Sequence, residues 1–125
     1  MIDTFLIFVG AGLGGVMRFW IANAVYWLTG RQFPYGTLVV NVSGCFIMGF
    51  LFVLILDRFD GIAPQLRSFI LIGVLGGYTT FSSFSIETLN LFENGDWFGG
   101  FANIILSVVL CMAAVWISVV GGRQL

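Results

Sequence analysis

The chain has 125 residues, of which 59% are hydrophobic and only 9% are charged, and its formal net charge is −1. Soluble domains carry roughly a quarter charged residues, so this composition excludes an ordinary soluble protein and indicates an integral membrane protein. A spanning helix needs about 20 apolar residues, and four such segments occupy nearly the whole chain. No extramembrane domain is left for soluble enzyme chemistry, and we expect no enzyme.

Four transmembrane helices are predicted within a single domain covering 1–125, at about residues 4–28, 34–56, 65–92 and 97–121. Charged residues fall mostly at the ends of these segments, as in Asp57, Arg58 and Asp60 between the second and third helices. Pro34 and Pro64 stand where the second and third helices should begin, because the first helical turn has no use for the amide proton that proline lacks.

The first segment begins after Asp3 with no positive charge before it and is long for a signal-peptide core, so we expect a retained helix. Small residues recur in it at a spacing of four, Gly10 with Gly14 and Ala11 with Gly15, which favours close helix packing. The same stretch matches GxGxxG, but no acidic residue follows about 20 positions on, so a dinucleotide site is not expected.

Positive charges say little about topology. With the N-terminus inside, Arg58, Arg67 and Arg123 would face the cytoplasm against Arg31 outside, and Arg18 within the first span could offset that bias. Insertion in both orientations stays open, and it would allow an antiparallel dimer with its two-fold axis in the membrane plane. Four short helices cannot enclose a polar pore and keep a fully apolar exterior, so we expect an oligomer.

In the second helix, Thr37, Asn41, Gly44 and Met48 fall on one face. The side-chain amide of Asn41 needs hydrogen-bond partners inside the membrane. It either joins helices through hydrogen bonds or faces a polar path. The pattern does not separate these two interpretations.

The third helix is predicted to be broken near the membrane midplane. Residues 73–85 interrupt an apolar segment with a glycine pair and the hydroxyls of Thr79, Thr80, Ser82, Ser83 and Ser85. Non-helical backbone at membrane depth is tolerated only when it is buried in protein or lines an aqueous cavity. The break would also free carbonyl groups at Gly76, Gly77 and their neighbours, of the kind that coordinate sodium in membrane proteins.

Phe81 and Phe84 are three residues apart, so their rings project from one face. Edge-on phenyl rings and hydroxyl donors suit an anion that is bound weakly enough to leave. The alternative is that both rings are ordinary packing aromatics. The charges inside spans, Arg18 and Glu87, either extend to the interface or line a vestibule.

The fourth helix carries one small and polar face, formed by Asn103, Ser107, Cys111, Ala114, Ser118 and Gly121. We expect this face to lie inward and the remaining Leu, Ile and Val side chains to meet lipid. Cys45 and Cys111 lie inside predicted spans without CxxC spacing, and we interpret both as small packing residues rather than as a disulfide or metal site.

Three motifs, in order, resemble those of the Fluc-type fluoride channels, also called CrcB-like proteins. They are GGVMRF at 14–19, GTLVVNVSG at 36–44 and GVLGGYTTFSSF at 73–84, followed by Glu87. The resemblance implies an antiparallel dual-topology homodimer with two pores in the inner (plasma) membrane. Such a channel lets fluoride leave the cytoplasm passively and gives resistance to it. The partners implied are fluoride, the bilayer and a second copy of the chain, with no nucleic acid.

The same resemblance assigns residues to the pores. It implies that Phe81 and Phe84 line the fluoride paths with Asn41 beside them, and that Ser82 and Ser83 belong to a polar track. Thr37 and Ser107 are expected in the same pores, and Arg18 and Glu87 in the vestibules. Backbone carbonyls of Gly76 and Thr79 from both subunits would hold a central structural sodium ion.

Two other functions were weighed. A small four-helix multidrug exporter would need an acidic residue deep in the first helix, and Asp3, at its start, is the only one that this segment offers. A helix-packing subunit without transport activity would leave the hydroxyl-rich broken helix without a purpose.

Overall fold

The computed structural model describes residues 1–58, 61 and 63–125. Over these residues the chain is all-helical, and four helical segments are long and apolar enough to cross a membrane: Ile2–Thr29, Tyr35–Arg58, Ala63–Glu93 and Trp97–Arg123. The prediction of an all-α protein with four spans is therefore confirmed. Asp57 and Arg58 are exposed at the end of the second segment, whereas Asp60 lies outside the described residues.

The first two spans are single helices, α1 (Ile2–Thr29) and α2 (Tyr35–Arg58), and the last is α6 (Trp97–Arg123). The third span is divided. It begins as α3 (Ala63–Leu66), continues as a π-helix over Arg67–Leu75, returns to an α-helical turn α4 (Gly76–Tyr78), and resumes as α5 (Phe81–Glu93). Between α4 and α5, Thr79 and Thr80 are extended, with ψ angles of 157° and 123°.

The break lies after the glycine pair and not at it. Gly76 has helical angles, φ −63° and ψ −38°, which corrects the expectation that the glycines themselves unwind the helix. Gly77 instead permits close packing against α1, since a Cβ there would lie 2.8 Å from the Cα of Ala11. The glycines let two helices approach, and the residues that follow them break the backbone.

Helix ends follow the predicted signals. Pro34 immediately precedes α2, and Pro64 is the second residue of α3, where a missing amide costs no helical hydrogen bond. At the start of α6, the Asp96 carboxylate accepts a hydrogen bond from the Gly99 amide at 2.8 Å, as an N-cap residue does.

The interior has an apolar part and a polar part. A cluster of buried apolar side chains joins α2 to the third span and consists of Val40, Ile55, Leu71, Leu75 and Tyr78. The polar face of α6 lies inward, because Asn103, Ser107 and Ser118 are all buried. At the end of that face Gly122 is buried and Gly121 is exposed, so the predicted inward position of Gly121 is wrong by one residue.

Candidate functional site

A groove of about 320 Å³ runs along α2, the broken third span and α6; we call it the central groove. It is lined by four residues that the sequence assigned to a pore, Asn41, Phe81, Phe84 and Ser107. Thr79, Thr80, Cys45, Val108, Cys111 and Met112 complete the lining. The fold thus brings Asn41 and Ser107, which are 66 positions apart, to one surface.

Asn41 holds the break of the third span. Its Nδ2 donates to the Thr80 carbonyl at 2.9 Å, and its Oδ1 accepts from the Thr80 amide at 2.8 Å. An amide side chain can serve both groups because it carries a donor and an acceptor side by side. Of the two interpretations left open for Asn41, joining helices is observed, and the same residue also lines the groove.

The hydroxyl groups after the break converge on one oxygen. Thr80 Oγ1 accepts from the Ser83 amide at 3.1 Å and so caps α5. Thr80 Oγ1 also donates to Ser83 Oγ at 3.2 Å and lies 3.3 Å from Ser82 Oγ. The N-terminus of α5, which carries partial positive charge, therefore begins at the wall of the central groove, next to Phe81.

Phe81 and Phe84 lie on the same face of α5, as their spacing predicts. Their ring centroids are 5.4 Å apart with an interplanar angle of 48°. The Phe81 side chain is 78% exposed, whereas Phe84 is partly buried. Phe84 is also tied to α6 through its backbone, since Thr88 donates to the Phe84 carbonyl at 2.7 Å and accepts from Asn103 at 2.8 Å.

Carbonyl groups at the break lose the donors that a continuous helix would supply, and for two of them the new partner of the lost donor is observed. In a continuous helix the Thr80 amide would donate to the Gly76 carbonyl, but here it donates to Asn41 Oδ1. Likewise, the Ser83 amide would donate to the Thr79 carbonyl in a continuous helix, but here it donates to Thr80 Oγ1. The Gly76 and Thr79 carbonyls, which the resemblance assigns to a sodium site, are therefore among those that lose their helical donors at the break.

A second cavity, of about 300 Å³, opens near the ends of α1 and α5; we call it the vestibule cavity. Its lining includes Tyr26, Arg31 and Glu87. Buried Thr37 donates to Glu87 Oε1 at 2.8 Å, and its own amide donates to the Tyr26 hydroxyl at 3.3 Å. Glu87 Oε2 is buried and has no hydrogen-bond partner among the described residues.

The structure therefore divides the predicted site residues between two places. Asn41, Phe81, Phe84 and Ser107 line the central groove, with Ser82 and Ser83 beside it at the Thr80 hydroxyl. Thr37 shares a helical face with Asn41 but belongs with Glu87 near the vestibule cavity. Arg18 is half-buried in the middle of α1 and does not line that cavity.

Several site residues were missed by the sequence analysis. Arg31 was considered only as a loop charge, yet its guanidinium carbon lies 4.7 Å from the centre of the Tyr26 ring, and it donates to Asn23 at 2.8 Å. The signal for Arg31 was its place directly after a span. Thr80 was counted among the hydroxyls, but nothing local identified it as the partner of Asn41, because the two are 39 residues apart.

Four apolar spans, the third of them broken beside a groove lined by rings, hydroxyls and an amide, define a four-helix membrane protein. The model of the family described as "CrcB-like protein, Camphor Resistance (CrcB)" matches residues 5–119. This chain belongs to the CrcB-like protein family.

Curated relatives align over most or all of the chain. A protein of Coxiella burnetii (strain Dugway 5J108-111) is 55% identical over 123 residues, covering 98% of this chain and 99% of the relative. Proteins of Magnetococcus marinus and Geobacter sulfurreducens are 46% and 42% identical, over 92% and 100% of this chain and 93% and 100% of theirs. Each of the three is named fluoride-specific ion channel FluC.

Proposed function

We propose that this protein is a fluoride-selective channel of the inner membrane that lets fluoride leave the cytoplasm passively. The observation that carries the proposal is the central groove, in which Asn41, Phe81, Phe84 and Ser107 meet at the N-terminus of α5. The proposal also rests on family membership and on the name that the relatives carry. It describes a channel and not an enzyme.

The chemistry of the groove suits a small anion. Phenyl rings have a positive edge, hydroxyls donate hydrogen bonds, and a helix N-terminus carries partial positive charge. Asn41 uses one N–H of its amide on Thr80, so the second N–H is available as a donor. None of these groups carries a full charge, so binding is weak enough for the ion to leave, which conduction requires.

The proposed path has two parts. Fluoride enters through the vestibule cavity beside Arg31, where the Thr37, Tyr26 and Glu87 side chains form a polar network. It then sheds water and passes between the hydroxyls of Ser82 and Ser83, Asn41 and the phenyl edges, driven by its own gradient. We assign to Arg31 the vestibule role predicted for Arg18, because Arg31 lines the vestibule cavity.

We further propose that the working unit is an antiparallel homodimer with two pores. A second copy packed against the central groove would cover the exposed Phe81 ring that lines it. The five arginines give only a weak topological bias, which permits insertion in both orientations.

A structural sodium ion at the dimer centre completes the proposal. The carbonyls of Gly76 and Thr79 of both copies would hold it, and their release from helical hydrogen bonding supports this assignment. These carbonyls would bind the ion through their oxygens, and such an ion would offset the carbonyl dipoles and link the two broken helices. Backbone carbonyl oxygens are of the kind that coordinate sodium at unwound helices in membrane proteins.

The function is tested by ion efflux from liposomes that contain the purified protein, with fluoride and chloride followed by ion-selective electrodes. We expect fluoride to leave quickly while chloride is retained. Equal loss of both ions would contradict selectivity, and retention of both would contradict a channel. Protein-free liposomes made in the same preparation measure the leak.

Orientation is tested separately. In a chain whose native cysteines are replaced by alanine, a single cysteine is introduced by Gln32→Cys in the connection between α1 and α2. A membrane-impermeant maleimide should label about half of the molecules from outside if both orientations occur equally. Complete labelling or complete protection would overturn dual topology without affecting the efflux result.

A further inference from the structure

Two walls of the central groove belong to one helical hairpin. The helices α5 and α6 are connected by residues 94–96 and pack side by side. Near the connection, the Phe92 ring packs against the Phe101 ring with centroids 5.2 Å apart. At the other end, the hairpin opens on the groove, where Phe84 of α5 and Ser107 of α6 line it. The distance between these two walls therefore depends on how α5 is held against α6.

A buried hydrogen bond joins the two helices one turn away from the groove. Asn103 Nδ2 donates to Thr88 Oγ1 at 2.8 Å. Thr88 is four residues after Phe84, and Asn103 is four residues before Ser107, so each shares a helical face with its groove residue. Asn103 is 2% exposed and Thr88 is 6% exposed, and neither lines the groove.

Each partner of this bond is also bonded to the groove residue of its own helix. Thr88 Oγ1 donates to the Phe84 carbonyl at 2.7 Å, and Ser107 Oγ donates to Asn103 Oδ1 at 3.4 Å. One chain of hydrogen bonds thus runs from Ser107 through Asn103 and Thr88 to Phe84. Among the residues that the structure describes, Thr88 and Asn103 form the sole side-chain hydrogen bond between α5 and α6. The apolar contacts that complete this helix pair are non-directional and set no fixed spacing.

We propose that the Thr88–Asn103 hydrogen bond fixes the width of the central groove between Phe84 and Ser107, and so makes the path selective for fluoride over the larger chloride ion. Thr88 and Asn103 are positioning residues that touch no ion, and the inference rests on the proposed channel function.

The lining of the groove cannot by itself choose between halides. Phenyl edges, hydroxyls and an amide attract any small anion, so discrimination between two ions of equal charge requires a constraint on size. A hydrogen bond between buried side chains supplies that constraint. Moving α5 away from α6 would break it and leave the Asn103 amide without a partner in an apolar environment, which is costly.

The test is efflux of fluoride and chloride from liposomes containing Thr88→Val, which keeps the shape of threonine but offers Asn103 no acceptor. We expect chloride loss above the leak of protein-free liposomes. The ratio of chloride to fluoride loss should rise about tenfold over the native value, which corresponds to about 1.4 kcal/mol, the order of one hydrogen bond. Thr88→Ser keeps the hydroxyl and should restore the native ratio. Ser118→Ala removes another buried hydroxyl of α6, one that donates to the Val115 carbonyl of its own helix, and it should leave the ratio unchanged.

The inference is overturned if Thr88→Val is as selective as the native protein. It is also overturned if Thr88→Ser loses selectivity to the same extent, since the effect would then follow side-chain shape and not the hydroxyl. Thr88→Val/Asn103→Leu leaves neither partner unpaired, so it replaces the single variant, with the same expected result, if that variant fails to fold. A native protein that releases neither ion contradicts the channel proposal and this inference with it. A selective native protein with an equally selective valine variant contradicts this inference alone.

Discussion

Asn41 and Thr80 exchange two hydrogen bonds across the break in the third span. The Asn41 amide nitrogen donates to the Thr80 carbonyl at 2.9 Å, and the Thr80 amide donates to the Asn41 oxygen at 2.8 Å. Through this pair the backbone amide and carbonyl of Thr80 both form hydrogen bonds inside the protein. In a membrane this is the condition for a non-helical segment to exist.

Asn41→Ala should therefore lower the midpoint of thermal unfolding in detergent and reduce fluoride efflux. It leaves a backbone donor and a backbone acceptor at Thr80 without partners, which costs about 2 to 4 kcal/mol. Asn90→Ala, which removes an exposed amide on α5, is the matched control and should leave the midpoint nearly unchanged. Equal midpoints for the two variants would show that Asn41 does not hold the break.

Phe81→Ile and Phe84→Ile should each reduce fluoride efflux while the protein still assembles. Isoleucine keeps the apolar volume but has no positive ring edge to meet an anion. Phe98→Ile is the control, because that ring is 87% exposed in the first turn of α6 and does not line the central groove. Unchanged efflux in both groove variants would remove the pore role assigned to the two rings.

Thr37→Val should slow fluoride efflux, and Thr37→Ser should restore most of it. Valine has nearly the shape of threonine but cannot donate to Glu87, where the present hydrogen bond is 2.8 Å long. Leaving a buried carboxylate oxygen without that donor costs about 1 to 3 kcal/mol. Thr29→Val removes an exposed hydroxyl that bonds only to backbone carbonyls, and it should behave as native. A serine variant as slow as the valine variant would assign the effect to shape and not to the hydroxyl.

Gly14→Ala should destabilise the protein, whereas Gly15→Ala should not. A Cβ at Gly14 would lie 2.8 Å from the Tyr78 amide nitrogen and would overlap the Val74 carbonyl, but a Cβ at Gly15 meets nothing within 4 Å. Overpacking costs about 1 to 3 kcal/mol, whereas alanine in open helix gains up to about 1 kcal/mol over glycine. Thermal unfolding of the two variants in one detergent measures the difference. If both variants behaved alike, the close approach of α1 to the third span would be contradicted.

Replacing sodium by choline at equal ionic strength should lower the unfolding midpoint, because a ligand that binds only the folded state stabilises it. Thr79→Val keeps the backbone carbonyl and should keep the sodium effect. Asn41→Ala removes both hydrogen bonds that hold the backbone at Thr80, next to the Thr79 carbonyl, so it should reduce the sodium effect. A midpoint that is the same in sodium and choline would overturn the sodium proposal and leave the fluoride path as proposed.

The sequence by itself determined the number and approximate extent of the spans, because lipid requires about 20 apolar residues for each crossing. It also indicated the break, since hydroxyls and glycines inside an apolar segment need a protein or water environment. The sequence also predicted the helix cap at Asp96, because the donor and acceptor of a cap lie within one turn of each other. Residues 73–85 were predicted to contain the functional site, and four of them line the central groove.

The tertiary structure decided where the helix breaks and which residues meet. Gly77 and Gly14 allow α1 to approach the third span, and Asn41 from α2 binds the backbone of Thr80, three residues after Gly77. Thr37 and Asn41 share a helical face, yet they belong to different sites. Thr37 binds Glu87 near the vestibule cavity, whereas Asn41 lines the central groove. Hydrogen bonds between distant residues have no local signature, since they depend on how the helices cross.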